Sequence, residues 1–293
     1  MEITLNHGGR NAVIDTLGGE LTSYKDESGL EYIWQGSPDS WTGRNPLLFP
    51  IVGKLADGKI TAYGKECRMP QHGMARKREF TVVEQGADFA VLEQREDADT
   101  LAAYPFPYCL RVRQELKENG FTTTATVSNP GDTDLPFCLG AHTAFRCPQR
   151  PGERFEDYAL VFDEVESTCA LLPTERGLLD HGKTMPCLEG SDTLPLDYAV
   201  FDKVDTLCFD GLRSHGVALR HKENGHGVHV DFTGFPMVAF WTPPDKHAPF
   251  LCIEPWQGCA DYEDCDGDFS HKPHAVFLRP GESWSIGYTV TTL

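Results

Sequence analysis

Apolar and polar residues alternate with a period of two over most of this chain, and turn residues interrupt the alternation about every ten positions, which is the pattern of a large antiparallel β architecture. Helical periodicity is scarce. The N-terminus reads as strand 2–6, a Gly8-Gly9 turn, strand 12–16, a Gly18-Gly19 turn and strand 21–24. Two later segments share the turn Lys-Glu-Asn-Gly: one joins 111–116 to 121–128, the other joins 216–220 to 228–232. In each, the Asn-Gly pair is expected to supply the positive φ of a tight hairpin. Residues 283–290, after the Pro280-Gly281 turn, form a closing strand. Pro and Gly are scattered as turn punctuation, and no low-complexity linker divides the chain. The expectation is one continuous all-β domain over residues 1–293, a wide antiparallel sandwich of two large sheets.

The surface charge narrows the choice of partners. With 26 Lys+Arg against 44 Asp+Glu, the formal net charge is -18. Such a surface repels phosphate backbones and anionic lipid headgroups, so neither nucleic acid nor a membrane is an expected partner. The opening MEITLNHGGRN has no basic stretch leading into an apolar one, and no apolar run approaches the roughly 18 residues of a membrane span, so a soluble, cytoplasmic protein is expected. Of the ten cysteines, those in YCL, FCL, LCF and FLCI read as buried free thiols. No CxxC occurs, and Cys252, Cys259 and Cys265 with His271 and His274 lack the spacing of structural zinc ligands, so no metal is expected.

Four segments put polar residues where a strand pattern does not want them. In FPIVGKLADGKI, Lys54 follows Gly53; it is either a solvated turn lysine or a ligand contact. In MPQHGMARKREF, His72, Arg76, Lys77 and Arg78 make a local positive patch in an acidic protein, suited to a polyhydroxylated or anionic ligand or simply to a solvated loop. In FCLGAHTAFRCP, His142 sits among small and apolar neighbours, as a catalytic group or as a core histidine with backbone partners. In FLCIEPWQG, Glu254 follows an apolar run and precedes Trp256 and Gln257, an aromatic face and an amide of the kind that holds a sugar. Pro255 is expected to end the sheet pairing there. No Gly-rich phosphate loop, nucleotide fingerprint or G-x-S-x-G elbow occurs. A carboxylate and a histidine suffice for proton transfer in both directions, which is chemistry without a cofactor.

LFPIVGKL, QHGMAR, GAHTAF and IEPWQGCAD, followed by Lys272 and the LRPGE turn, resemble the aldose 1-epimerase (galactose mutarotase) family, in particular its LacX-like branch, in order and spacing over most of the chain. The resemblance implies a β-supersandwich and the interconversion of α and β anomers of an aldose. It implies Glu254 as catalytic base, His142 as catalytic acid and His72 as a second histidine that helps to hold the sugar. Lys54 falls where better-known members have an arginine. A substrate-binding aspartate is expected in FDKVDTLCFDG, with Asp205 preferred to Asp202 and Asp210 because it begins the apolar strand. Arg76 becomes a second cationic contact, and Trp256 and Gln257 are expected near the sugar. The implied partner is a small-molecule sugar, and the protein a monomer or homodimer.

Such a pair should give a bell-shaped pH–rate profile. A glycosidase would usually need two carboxylates flanking one bond, and only one acidic residue has a convincing context. Two alternatives stay open: a hexose 6-phosphate 1-epimerase whose phosphate is held by Arg76, Lys77 and Arg78, and a sugar-binding protein of the same fold without turnover.

Overall fold

The computed structural model describes all 293 residues, Met1–Leu293, and the alternation becomes antiparallel sheet through most of the chain. Two short α-helices interrupt it, Ala98–Ala103 and Tyr198–Val204. Neither is long and apolar enough to cross a membrane. Strands Glu2–His7, Arg10–Asp15 and Glu20–Lys25 form a three-stranded sheet through the two double-glycine turns. A 15-stranded sheet carries most of the remaining strands. Its hydrogen-bonded path runs from Leu47–Leu48 through Leu139–Ala141, Phe250–Gln257, Met237–Trp241 and Thr206–Asp210 to the long strand Tyr158–Pro173. From there it continues through Gly216–His221, Gly227–Asp231 and Ser283–Thr292 to Gly120–Ser128 and Cys109–Lys117. The expected pair of large sheets is therefore one large sheet plus three small ones of three, two and two strands, and a sheet this wide must curl to cover its apolar face. The architecture is the antiparallel β-supersandwich expected.

Register follows from which face each side chain can tolerate. In Gly120–Ser128, Phe121, Ala125 and Val127 are buried, while Thr122, Thr126 and Ser128 pair their hydroxyls with Thr289, Ser285 and Ser283 at 2.9, 2.8 and 2.7 Å. A slip of one residue would bury the hydroxyls and expose the phenyl ring. A cluster of 72 buried residues, drawn from Ile3 to Val290, joins these strands in one core. All ten cysteines are free, seven of them buried, and Cys169 and Cys265 are exposed.

The two Lys-Glu-Asn-Gly turns are not alike. In the second, Gly225 takes φ 80°, as expected of the pair. In the first, Lys117 pairs with Gly120 across Glu118-Asn119, and Gly120 is near-extended at φ 159°. Glycine is needed there for close approach: a Cβ would lie 1.8 Å from the Val290 carbonyl oxygen of the neighbouring strand.

Candidate active site

Strand Phe250–Gln257 is paired on both edges near one end of the large sheet, and its period of two puts Cys252, Glu254 and Trp256 on one face and Leu251 and Ile253 on the other. Glu254 is 1% exposed. Pro255 does not end the pairing, contrary to expectation: it lies opposite Val238, and the ladder continues to Trp256 opposite Met237. The interruption is on the other edge. There Leu139–Ala141 pairs with Trp256 and Gln257, Thr143–Arg146 pairs with 250–253, and His142 stands in the gap between them. Pro255, which has no N–H to give, occupies the part of the strand where that edge asks for none.

The gap turns His142 toward Glu254, with Nε2 3.3 Å from Oε1. Three rings hold the imidazole. Trp41 lies over it at 4.8 Å and 31°, while Trp241 and His72 meet it edge-on at 5.4 Å and 5.5 Å. The backbone N–H of His142 donates to the Pro46 carbonyl, but its Nδ1 has no partner, and neither has Glu254 Oε2. Buried polar atoms are rarely left so, and two on one facing pair mark the place where a ligand completes the bonding.

Burial sets the protonation of this pair. It pushes the Glu254 carboxyl well above its ordinary range, with the Asp205 charge adding to the rise and the Trp256 indole opposing it. It pushes His142 well below its ordinary range, and the Arg76 charge adds to that fall. The neutral pair, protonated Glu254 facing neutral His142, is therefore favoured by the protein surroundings alone. It holds the same single proton as carboxylate facing imidazolium, so the two forms differ only by a shift across the contact.

His142 and Glu254 line a cavity of about 440 Å³, which is room for a monosaccharide. His72, Lys54, Arg76, Asp205 and Trp256 line it too. His72 is held at φ 65°, and Gly73 beside it packs so closely that a Cβ would lie 2.1 Å from the Phe49 carbonyl oxygen. The Gly53 N–H donates to His72 Nδ1 at 3.2 Å, so the ring proton is assigned to Nε2, which faces the Gln71 side-chain amide at 3.3 Å. Burial, helped by the Arg76 charge, lowers the His72 pKa to about 3, which makes it a neutral donor. Lys54 donates from Nζ to the Arg176 carbonyl at 3.2 Å, while Arg76 gives Nη2 to the Gln71 carbonyl at 2.9 Å and keeps a buried Nε without a partner.

Of the three candidate aspartates, only Asp205 lines the cavity. It ends helix Tyr198–Val204 at φ 63° and accepts from the Trp241 indole N–H at 2.9 Å. Asp202 is occupied by the Asp245 N–H and His247, and Asp210 by His274.

Two groups of expected contacts do not reach the cavity. Gln257 lies on the strand face opposite Glu254, where its Nε2 donates to the His274 carbonyl at 2.6 Å, so the amide expected near a sugar serves a loop instead. The cationic patch also divides after Arg76. Lys77 and Arg78 line a separate surface groove, and Arg78 pairs with Asp97 at 3.1 Å and Asp99 at 3.5 Å. His271 and His274, weighed as metal ligands, are paired with Asp266 and Asp210. Conversely, Trp41, Trp241 and Glu175 line the cavity without having been expected there. Trp41 carried a readable signal: a large aromatic alone in GSPDSWTGRNP has no core of its own to join.

The family model for aldose 1-epimerase matches residues 1–291. The chain is 36% identical over 302 residues to the chromosomal LacX protein of Lactococcus lactis subsp. lactis, with all of both chains covered. Among solved structures, a galactose mutarotase related enzyme from Lactobacillus acidophilus superposes with a TM-score of 0.94 at 31% identity, covering 100% of this chain and 97% of that one. A galactose mutarotase-like protein from Lactobacillus casei superposes with a TM-score of 0.91 at 27% identity, with full coverage of both.

Proposed function

We propose, given that the chain belongs to the aldose 1-epimerase family, that it is an isomerase interconverting the α and β anomers of a free aldohexose by acid–base opening and closing of the ring. The observation that carries this reading is the 3.3 Å contact between His142 Nε2 and Glu254 Oε1 on the wall of a sugar-sized cavity. The hydroxyl oxygen on the anomeric carbon and the ring oxygen are bonded to one atom, so groups this close can serve both. Glu254 as carboxylate takes the proton from the C1 hydroxyl, while His142 as imidazolium gives one to the ring oxygen and the C1–O5 bond breaks. The pair ends neutral, and the sugar is an open-chain aldehyde. Rotation about C1–C2 turns the other carbonyl face to the pair, and closure runs the same transfers backwards.

Burial favours the neutral pair, so the sugar's own hydroxyls and the surrounding donors must stabilise the charged one. Trp256 Nε1, buried without a partner, is suited to this on the carboxylate side, while Arg76, Asp205 and neutral His72 hold hydroxyls. The shifts also alter the expected pH dependence. Raised Glu254 and lowered His142 widen the range over which the pair holds one proton, so the bell becomes a broad plateau through neutral pH with a fall at each end.

The division of the cationic patch favours a free sugar over a hexose 6-phosphate, because Lys77 and Arg78 are outside the cavity. Polarimetry on freshly dissolved α-glucose and α-galactose tests the activity. A rate no faster than the uncatalysed one on either would sink this reading, leaving a binding protein. A preference of about a hundredfold for glucose 6-phosphate would replace the free sugar by its phosphate; a phosphate gains charge-assisted bonds only where cations reach it.

A further inference from the structure

Cys252 has no part in the proton transfers above, yet it lies on the same strand face as Glu254, two residues earlier, buried against Ala144, Ala248 and Phe250. Its sulfur, a ring nitrogen of His142 and a carboxylate oxygen of Glu254 all lie within 4.8 Å of one another. A tetrahedral zinc site with bonds of about 2.0–2.3 Å separates its ligand atoms by roughly 3.3–3.8 Å. The His142–Glu254 contact of 3.3 Å is already at that spacing, so small side-chain adjustments bring in the sulfur. Independently of this spacing, His142 Nδ1 and Glu254 Oε2 are buried without partners.

We propose that His142, Glu254 and Cys252 form a three-ligand site for a thiophilic divalent cation of the Zn²⁺ class, and that the cation excludes the sugar from the cavity. One nitrogen, one sulfur and one oxygen select zinc or cadmium over magnesium or calcium, which want oxygen alone. Charge balances within the buried set: thiolate and carboxylate together cancel the two positive charges of the ion. Binding releases the Cys252 thiol proton and, from the neutral pair, the Glu254 proton to solvent, so affinity rises with pH. The fourth position opens on the cavity, where water completes the coordination. The ion then occupies the lone pair and the carboxylate that would otherwise serve the anomeric carbon.

The test uses the full chain in a Cys169→Ser, Cys265→Ser background, which removes the two exposed thiols. Titration with CdCl₂ should give one equivalent of tight binding with an ultraviolet thiolate-to-cadmium charge-transfer band. The band should persist in Cys208→Ala, which removes a different thiol at the cavity, and vanish in Cys252→Ala. ZnCl₂ should slow mutarotation, and raising α-glucose should relieve the block. Cys252→Ala should keep its basal rate and need more Zn²⁺ by a factor beyond the roughly 10–100-fold that loss of an outer-shell contact costs. If Cys252→Ala does not fold, Glu254→Gln must weaken Cd²⁺ binding by at least about tenfold. No band in the parent protein, a band kept in Cys252→Ala, or unchanged binding in Glu254→Gln overturns the site. Because the band reads metal binding without turnover, its failure is distinct from a failure of the mutarotase reading.

Discussion

Glu254 and Asp261 lie a few residues apart in the chain, and each is a buried carboxylate facing a buried nitrogen base, but their surroundings differ. Asp261 takes the Lys272 ammonium on Oδ1 and the Ala56 N–H at 2.8 Å on Oδ2. Its own backbone N–H donates to the Lys54 carbonyl at 2.8 Å, and its carbonyl accepts from Leu179 at 2.9 Å. Burial alone would lower the Lys272 pKa, but the acidic groups beside it, the Cys138 thiol and the Asp261 carboxyl, turn the net shift upward. The Cys138 thiol, itself pushed up to about 11, is uncharged at neutral pH, so Asp261 is the partner that keeps Lys272 charged. Glu254 instead has one contact, to His142, and one bare oxygen. A fully partnered buried pair ties chain segments together; a half-partnered one keeps bonding capacity for a ligand. The first pair holds in place the loop that carries Lys54, and the second is the proposed acid–base machinery.

The contrast predicts opposite responses to mutation, the largest in rate. Glu254→Ala and His142→Ala should each lower mutarotation by about 10²–10⁴, the usual worth of a positioned acid or base. Both variants should keep a cooperative melt by circular dichroism. Folded variants with wild-type rates would remove both residues from the chemistry.

Lys272→Met should do the reverse. It strands the Asp261 carboxylate in a buried site, at a cost of about 3–5 kcal/mol read from urea unfolding. Where the protein is still folded, the loss of rate should be much smaller than for the Glu254 variants. A stable Lys272→Met protein with a collapsed rate would move this pair from the frame into the site.

A smaller effect separates the pairs by pH. Because burial raises the Glu254 pKa above its unfolded value, its contribution to stability is present at low pH and is lost as pH rises toward the folded value. Glu254→Gln removes that loss. Thermal melts should coincide for variant and wild type near pH 4 and diverge as pH rises, the variant becoming the more stable. The divergence should be of the order of 1 kcal/mol or more, at about 1.4 kcal/mol per tenfold difference in proton affinity. Equal melting temperatures at pH 4 and pH 8 would mean that the folded protein does not penalise this carboxylate.

What could be read from the sequence follows the same division between regular and irregular backbone. The strands were legible because the alternation and the glycine turns act locally, and the Glu254–Trp256 face was legible because it obeys the period of two. His142 was legible as an odd polar residue, but the gap that aims it depends on Leu139–Ala141 and Thr143–Arg146 pairing with different parts of one strand. Such long-range pairing leaves no local mark. Arg76 parts from Lys77 and Arg78 because residues 75–77 form a 3₁₀ turn, which a run of basic residues does not announce. Trp241 could not be separated from the core aromatics around it, since its role depends on Asp205 at the end of a helix in another part of the chain.

Gln257 gives the smallest expected effect and the strictest check on that geometry. As a polar residue next to Trp256 it looked like a sugar contact, but a strand turns successive side chains to opposite faces, and Gln257 is three residues from Glu254. Its amide holds the His274 carbonyl, and that bond is what Gln257→Ala removes. The variant should lose about 0.5–1.5 kcal/mol of stability, the net worth of one hydrogen bond. Its KM for the sugar should stay within about twofold of wild type, since a residue that makes no ligand contact gives up no binding energy. Alanine at Trp256, on the cavity face, should instead raise KM, because it removes ring area and the indole N–H from the pocket. If the Gln257 variant raised KM as much as the Trp256 variant, the strand would have to present both neighbours to one cavity, which requires a bulge between them. The unbroken pairing of Gly140 with Trp256 and Leu139 with Gln257 leaves no room for one there.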